Sequence, residues 1–348
     1  MERYVDALLR ELDFRKYEIK DAISTIYLGG GTPSMLPAGL LEQLMTGLHR
    51  LIDFQKLSEV TIEANPEDID SKSISRFVSL GINRISIGIQ SFDSQLLSTI
   101  GRAHSADSAI AALEALSASG INFNADLIYG LPGQTSDKAV ADLEKLLRFN
   151  PPHVSAYLLS YEPGTRLHAR LQKGLLREAS EAEAEQHYLA VSRRLADEGF
   201  SHYEISNFAH PGYEAIHNSS YWDFTPYLGL GAAAHSFDGK VRRFNPASIV
   251  KYLKAIESGT AAYIVDDESV ENRFNDYIIC SLRTAKGFST AKARNMFGPE
   301  LLSQFMANLA GLPGDAVQIA ADDHDNLRIV IPESNWLTSA AVMRELIL

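Results

Sequence analysis

Glu63 in "TIEANPED", Asp126 in "NADLIYGLP", Gln90 in "RISIGIQSF" and Arg102 in "IGRAHS" are the side chains of this sequence best suited to hold a polar ligand. Glu63 and Asp126 each follow an apolar stretch. There a carboxylate can accept hydrogen bonds from a ligand's amine or ribose hydroxyls, work as one half of an acid–base pair in hydrolysis, or do no more than end a solvated strand or cap a helix. Arg102 offers a two-pronged fork to a ligand carboxylate, or an ordinary surface ion pair. Residues 26–34, "IYLGGGTPS", set Gly29, Gly30 and Gly31 ahead of Thr32 and a proline. Backbone so bare lets a ligand come close. It lacks the Lys-Ser/Thr of a phosphate-binding loop and the spacing of a dinucleotide fingerprint, so a tight turn explains it as well. His217 and Trp222 in "HNSSYW" read either as structural hydrogen-bonders or as ligand contacts.

These residues need a frame, and the first half of the chain supplies one. Helical periodicity fits residues 3–17, 71–80, 105–119 and 136–148, with Gly81 and Gly120 at C-cap positions. Between them lie the strand-like runs "TIYLG", "EVTIEA", "RISIGIQ", "NADLIYG" and "HVSAYLL", with "HYEISNF" as a sixth. The echo of "SLGINRISIG" in "ASGINFNADLIYG" marks a repeated unit. Strand–helix–strand repetition predicts parallel pairing with right-handed crossovers. The polar residues fall at strand ends, Tyr157 among them, and a barrel would bring those ends to one rim, whereas a doubly wound sheet would spread them along a crevice. The expected fold is therefore α/β, a partial (β/α) barrel over residues 1–208. It begins with a helix, so a first strand is expected to be missing and the edge beside "TIYLGG" to be exposed, inviting dimer pairing.

Residues 209–265, rich in Gly, aromatics and His, read as a connecting region. Residues 266–348 read as helix (272–283), helix (289–309), a hairpin "VQIAADDHDNLRIVI" and a last helix, a small winged-helix-like domain. Its acidic tip "ADDHDN" would repel phosphate. The formal charge of −12 over 348 residues also argues against a nucleic-acid surface. No run approaches the roughly 18 apolar residues of a membrane span, and the N-terminus is an amphipathic helix, so a cytoplasmic protein without membrane insertion is expected. Cys280 is the only cysteine, which leaves no disulfide framework and no cysteine-rich metal site.

Taken in order, "IYLGGGTPS", "TIEANPED", "GINRISIGIQSF", "GRAHS", "DLIYGLPGQT", "YEISNFAHPG" and "HNSSYW" resemble the radical S-adenosylmethionine (SAM) coproporphyrinogen III dehydrogenase-like family, most closely its haem chaperone branch, across residues 3–245. The resemblance implies that Gly29, Gly30, Gly31, Thr32, Glu63, Gln90, Arg102 and Asp126 hold S-adenosylmethionine and that His217 is a candidate haem contact. It implies haem or porphyrin and a haem-recipient protein as partners. It also implies a [4Fe-4S] cluster on a Cys-x-x-x-Cys-x-x-Cys motif, which this sequence lacks. The chain as written is thus expected to be unable to cleave S-adenosylmethionine by radical chemistry, with truncation or genuine loss as the two explanations. Enzymatic status stays open. An oxygen-independent coproporphyrinogen III dehydrogenase and a cluster-free barrel hydrolase are the alternative functions.

Overall fold

The computed structural model describes every residue except 261, 262, 267, 268, 324 and 325. The expected acidic hairpin tip lies partly on residues 324 and 325, outside the described residues. The chain divides into two compact units. One comprises residues 27–35 and 59–214, the other residues 1–26, 36–58 and 215–348.

The first unit is built on a curled seven-stranded half-barrel. Its sheet holds β1 (Thr25–Leu28, divided between the units after Ile26), β2 (Glu59–Ala64), β3 (Arg84–Gln90), β4 (Asn122–Tyr129), β5 (His153–Leu158), β6 (Ser201–Glu204) and β7 (Asn207–Ala209). They run in the order β1-β2-β3-β4-β5-β7-β6. From β2 to β5 the pairs are parallel, joined by the helices Ser71–Ser79, Ala106–Ser119 and Ser136–Leu147. Each helix starts on a side chain that accepts a first-turn amide: Asp70 from Ser73, Ser105 from Ser108, Thr135 from Lys138. The stretch expected as one strand, "HYEISNF", is instead the hairpin β6–β7, and β7 lies antiparallel to β5. β1 is the outer strand of the order, the edge position anticipated for "TIYLGG".

Strand register sorts the side chains into two faces. Val60, Ile62, Ile85, Ile87, Ile89, Phe123, Ala125, Val154 and Ala156 alternate onto one face and are buried. Each such isoleucine contributes roughly 1.5–3 kcal/mol relative to exposure. The opposite face is polar: Thr61 pairs with Arg84 and Arg84 with Asn122; Glu63 with Ser86, Ser86 with Asn124 and Asn124 with His153; Gly88 with Asp126 and Asp126 with Ser155.

In the second unit, a buried carboxylate fixes the N-terminal helix Glu2–Arg15 to segments more than 200 residues away. Glu11 accepts hydrogen bonds from Arg15 Nη1 (3.0 Å), Gly231 N (2.8 Å), Asn245 Nδ2 (2.7 Å) and Tyr252 Oη (2.8 Å). Arg15 in turn donates to the Gly229 carbonyl and to Ser236 Oγ, both at 2.9 Å. This network pins the approach to β8 (His235–Phe237), which pairs with β9 (Arg242–Phe244), itself paired with β10 (Ile264–Asp266). Toward the C-terminus, Phe274, Tyr277, Phe288 and Phe305 form an aromatic core. Helices Val270–Leu282 and Ser339–Leu346 and a three-stranded sheet of β11 (Phe288–Ser289), β12 (Gln318–Asp323) and β13 (Asn326–Val330) complete the unit. The single helix expected over 289–309 is two, Thr290–Phe297 and Pro299–Ala310. Gly298 at φ +92° followed by proline breaks it.

Candidate functional site

The glycine turn after β1 and the end of β2 meet on the polar side of the half-barrel. Glu63 Oε2 accepts the Gly30 amide at 3.1 Å, and Glu63 Oε1 accepts the Tyr27 hydroxyl at 2.8 Å. A carboxylate has about four acceptor positions, so two remain for a ligand's N–H or O–H groups. A Cβ on Gly29 would collide with the Tyr27 ring and stand 2.7 Å from Glu63 Oε1, so a side chain there would displace that hydrogen-bonded pair. Gly30 holds a φ of +79°, and a Cβ on Gly30 or Gly31 would meet nothing within 4 Å. The backbone of these two glycines therefore faces open space. Thr32 turns the chain into the short helix Pro33–Met35, its carbonyl accepting the Met35 amide at 3.0 Å.

Gln90 closes β3 in an unusual way. A bulge follows Gly88, and Gln90 adopts a φ of +66°, a conformation that costs a side-chain-bearing residue about 1–3 kcal/mol. The Gln90 carboxamide lies over Gly88, where a Cβ would stand 2.7 Å from its Nε2. Gly88 is the register partner of Asp126, which brings Gln90 beside that carboxylate. Asp126 sits in the middle of β4, not at its end as the sequence suggested. Burial pushes its carboxyl up to about 6, against hydrogen bonds from Asn124 and Ser155 that favour the ionised form. Asn124 Nδ2 donates to Asp126 Oδ1 at 2.6 Å and to Ser86 Oγ at 2.9 Å.

Sequence reading missed the lattice beneath these residues. Asn124 Oδ1 also bonds His153 Nδ1 and accepts Ser155 Oγ, while His153 Nε2 meets Tyr203 Oη at 2.7 Å. Burial, with the Arg84 guanidinium nearby, holds the His153 imidazole well below its usual range, so it is neutral at pH 7. Arg84 is fully buried, and among the described residues its Nε and Nη2 have no hydrogen-bond partner. The signal was present: Arg84, Ser86, Gly88 and Gln90 alternate with isoleucines, the period-2 signature of a strand with one polar face. Arg102 follows Gly101 (φ +74°) beyond the Ser94–Thr99 helix and is exposed; no hydrogen bond joins it to the cradle among the described residues.

The other unit carries a different kind of site. His217 is on the helix Ile216–Trp222 with both ring nitrogens engaged: Nδ1 with Thr25 Oγ1 and Nε2 with Tyr221 Oη, each at 2.8 Å. That bond steers Tyr221 into the wall of a cavity of about 490 Å³, shared with Trp222, Phe224, Tyr227, Phe237 and His235. The volume falls within the range of about 300–1,000 Å³ usual for small-molecule and cofactor sites.

The sequence matches the radical SAM superfamily over residues 1–146. It is 37% identical to the heme chaperone HemW of Lactococcus lactis, over 85% of this chain and 78% of that relative. It is 32% identical to the heme chaperone HemW of Bacillus subtilis, over 83% and 77%. The solved structure of the Escherichia coli coproporphyrinogen III oxidase HemN, a radical SAM enzyme, shares the fold with a TM-score of 0.81 and 20% identity, over 99% of this chain and 83% of that one. With so much of both HemW relatives covered, and a half-barrel that places Gly30, Glu63 and Asp126 on one polar face, the chain belongs to the HemW family of heme chaperones within the radical SAM superfamily.

Proposed function

We propose that this chain binds haem and hands it to a recipient protein, and that it holds S-adenosylmethionine in the cradle formed by the glycine turn, Glu63, Gln90 and Asp126. The observation that carries the reading is the 37% identity to a heme chaperone over 85% of the chain. The chemistry of the cradle fits the nucleoside. Glu63 is held by Tyr27 and Gly30 with acceptor capacity to spare for an ammonium or hydroxyl group. Gly30 and Gly31 leave space where a Cβ would otherwise stand. Asp126 and Gln90 offer an acceptor and a carboxamide on the adjacent strands, and Arg102 is assigned the ligand's carboxylate. When bound, S-adenosylmethionine supplies a sulfonium-activated carbon. The chain's own residues bind and orient it.

The family's iron–sulfur cluster does not fit the donor set described. Among the described residues no three His, Cys, Asp or Glu side chains gather as a metal-binding group. Burial pushes the Cys280 thiol up to about 11, so it is not a thiolate at neutral pH. The cargo reading draws support from the aromatic cavity, whose ring faces suit a flat apolar macrocycle.

Titrating the full chain with haemin and following absorbance tests the proposal, and mixing the loaded protein with an apo-haemoprotein extends it to delivery. The expected result is saturable binding followed by transfer to the acceptor. Haemin binding that never saturates, or a complex that releases nothing to the acceptor, would contradict it.

A further inference from the structure

Within the aromatic cavity, one side chain is suited to meet a metal and is left free to do so. His235 opens β8 as an exposed residue at the cavity wall, its ring 5.6 Å from Phe244. No hydrogen bond occupies either of its nitrogens among the described residues. His217 is placed differently. Its bonds to Thr25 and Tyr221 use both nitrogens, and its ring stands edge-on to Tyr221 at 5.1 Å and 86°. Tyr221 then stands edge-on to Tyr227 at 4.8 Å and 84°. His217 thus orders two walls of the cavity from outside it.

Haem iron takes His, thiolate, Met or Tyr as axial ligand. Of the cavity's other candidates, Cys280 is a buried thiol rather than a thiolate, and the Tyr221 hydroxyl is bonded to His217 and pushed up to about 12 by burial. Phenols are protonated at neutral pH, which disfavours Tyr227 as well. Two further features mark the cavity as a built site. Trp222 has a buried indole N–H with no hydrogen-bond partner among the described residues, and the Arg283 guanidinium covers its ring at 5.0 Å. Phe224, in the cavity wall, holds a φ of +56°, a strained conformation for a residue with a side chain. Strain of this kind persists where surrounding structure fixes a wall in place.

We propose that His235 is the residue of this chain that contacts the iron of haem bound in the cavity, while His217 is a positioning residue that acts through Tyr221. The assignment rests on the haem-binding reading given above. An iron contact and a cavity wall have different consequences. Removing His235 takes away the iron's ligand and leaves the macrocycle's surroundings intact. Removing Trp222 takes away a ring face that iron-loaded and iron-free macrocycles would use alike.

The test is a pair of absorbance titrations of the full chain, one with haemin and one with iron-free protoporphyrin IX. His235→Ala is expected to weaken haemin binding by about tenfold or more, change the haem absorption bands and leave protoporphyrin IX affinity within about twofold. Added imidazole should restore the bands, and His235→Gln should repeat the loss in a side chain of similar size. His217→Ala should weaken both macrocycles together while keeping the wild-type haem spectrum. If His235→Ala leaves haemin affinity and spectrum unchanged while the wild type binds haemin, the assignment is overturned and the haem reading stands. If His217→Ala alone removes the histidine-type spectrum, the two roles are reversed and the assignment also falls. If the wild type itself binds no haemin, the failure belongs to the underlying reading.

Discussion

The polar cradle of the half-barrel and the aromatic cavity of the other unit each gather chemistry-bearing side chains from separate elements, yet they are made by different means. In the cradle, register does the placing. Glu63, Gly88 and Asp126 share a face because parallel strands are hydrogen-bonded in a fixed alignment, and a one-residue slip would send every one of them to the apolar side. In the cavity, loops and long-range polar bonds do it. The segment leading to His235 is anchored by Glu11 and Arg15 from the far end of the chain, and Phe224 and Ala233 are held in left-handed conformations. A site built on register tolerates changes to its polar side chains. A site built on loops depends on its anchors.

The sharpest way to break this contrast is Glu11→Ala. Glu11 is 1% exposed and accepts four hydrogen bonds, one from the Arg15 guanidinium. Removing it strands the Gly231, Asn245 and Tyr252 donors and leaves the buried Arg15 cation with Glu18 as its remaining carboxylate, at a cost of about 3–5 kcal/mol in denaturant-measured stability. Haemin binding should fall with it. A loss below about 1 kcal/mol would show that the cavity's frame does not hang on this residue.

Asp126→Asn should act in the opposite direction. A carboxyl whose pKa rises from 3.8 to about 6 on folding holds its proton more tightly when folded. That stabilisation is fully present below pH 3.8 and is lost as pH rises through about 6. At neutral pH the ionised Asp126 therefore strains the fold, and Asp126→Asn is expected to stabilise it by about 2 kcal/mol, discounted for partial exposure. The stability slope between pH 4 and 6 should flatten in the variant, as chemical denaturation across that range would show. An unchanged slope would place the carboxyl in a wetter setting than the lattice of Asn124 and Ser155 implies.

The smallest effect on stability belongs to Gly31→Ala. Its Cβ would meet nothing within 4 Å and its φ is not positive, so stability should stay within about 0.5 kcal/mol of the parent in a denaturant titration. S-adenosylmethionine affinity should nonetheless drop by about tenfold by calorimetry if the open space is the ligand's. Equal affinity would mean that the bare backbone serves only the turn.

The two sites also differ in how far they could be read from sequence. Glu63, Gln90 and the glycines were legible because each falls at or just past the end of an apolar run, and strand geometry then does the rest. Asp126 was legible as a candidate but misplaced, since "NADLIYG" gives no local mark of where the strand ends. Arg84 and His153 lie at strand starts rather than strand ends, so only the period-2 pattern marks them as members of the polar face. The hairpin β6–β7 was lost in "HYEISNF", where the turn at residues 205–206 has neither Gly nor Pro. His235 could not be found at all. A lone histidine in "GAAAHSF" carries no periodicity, and its exposure at the cavity wall depends on anchors more than 200 residues away.

On the reading proposed above, two ligands of unlike chemistry are held by two independent constructions. A crossed pair of titrations tests it most directly, haemin by absorbance and S-adenosylmethionine by calorimetry, on the full chain carrying Gly31→Ala or Trp222→Ala. The predicted result is a double dissociation: Gly31→Ala weakens the nucleoside and spares haemin, and Trp222→Ala weakens haemin and spares the nucleoside. Loss of haemin binding in Gly31→Ala with full binding in Trp222→Ala would contradict it.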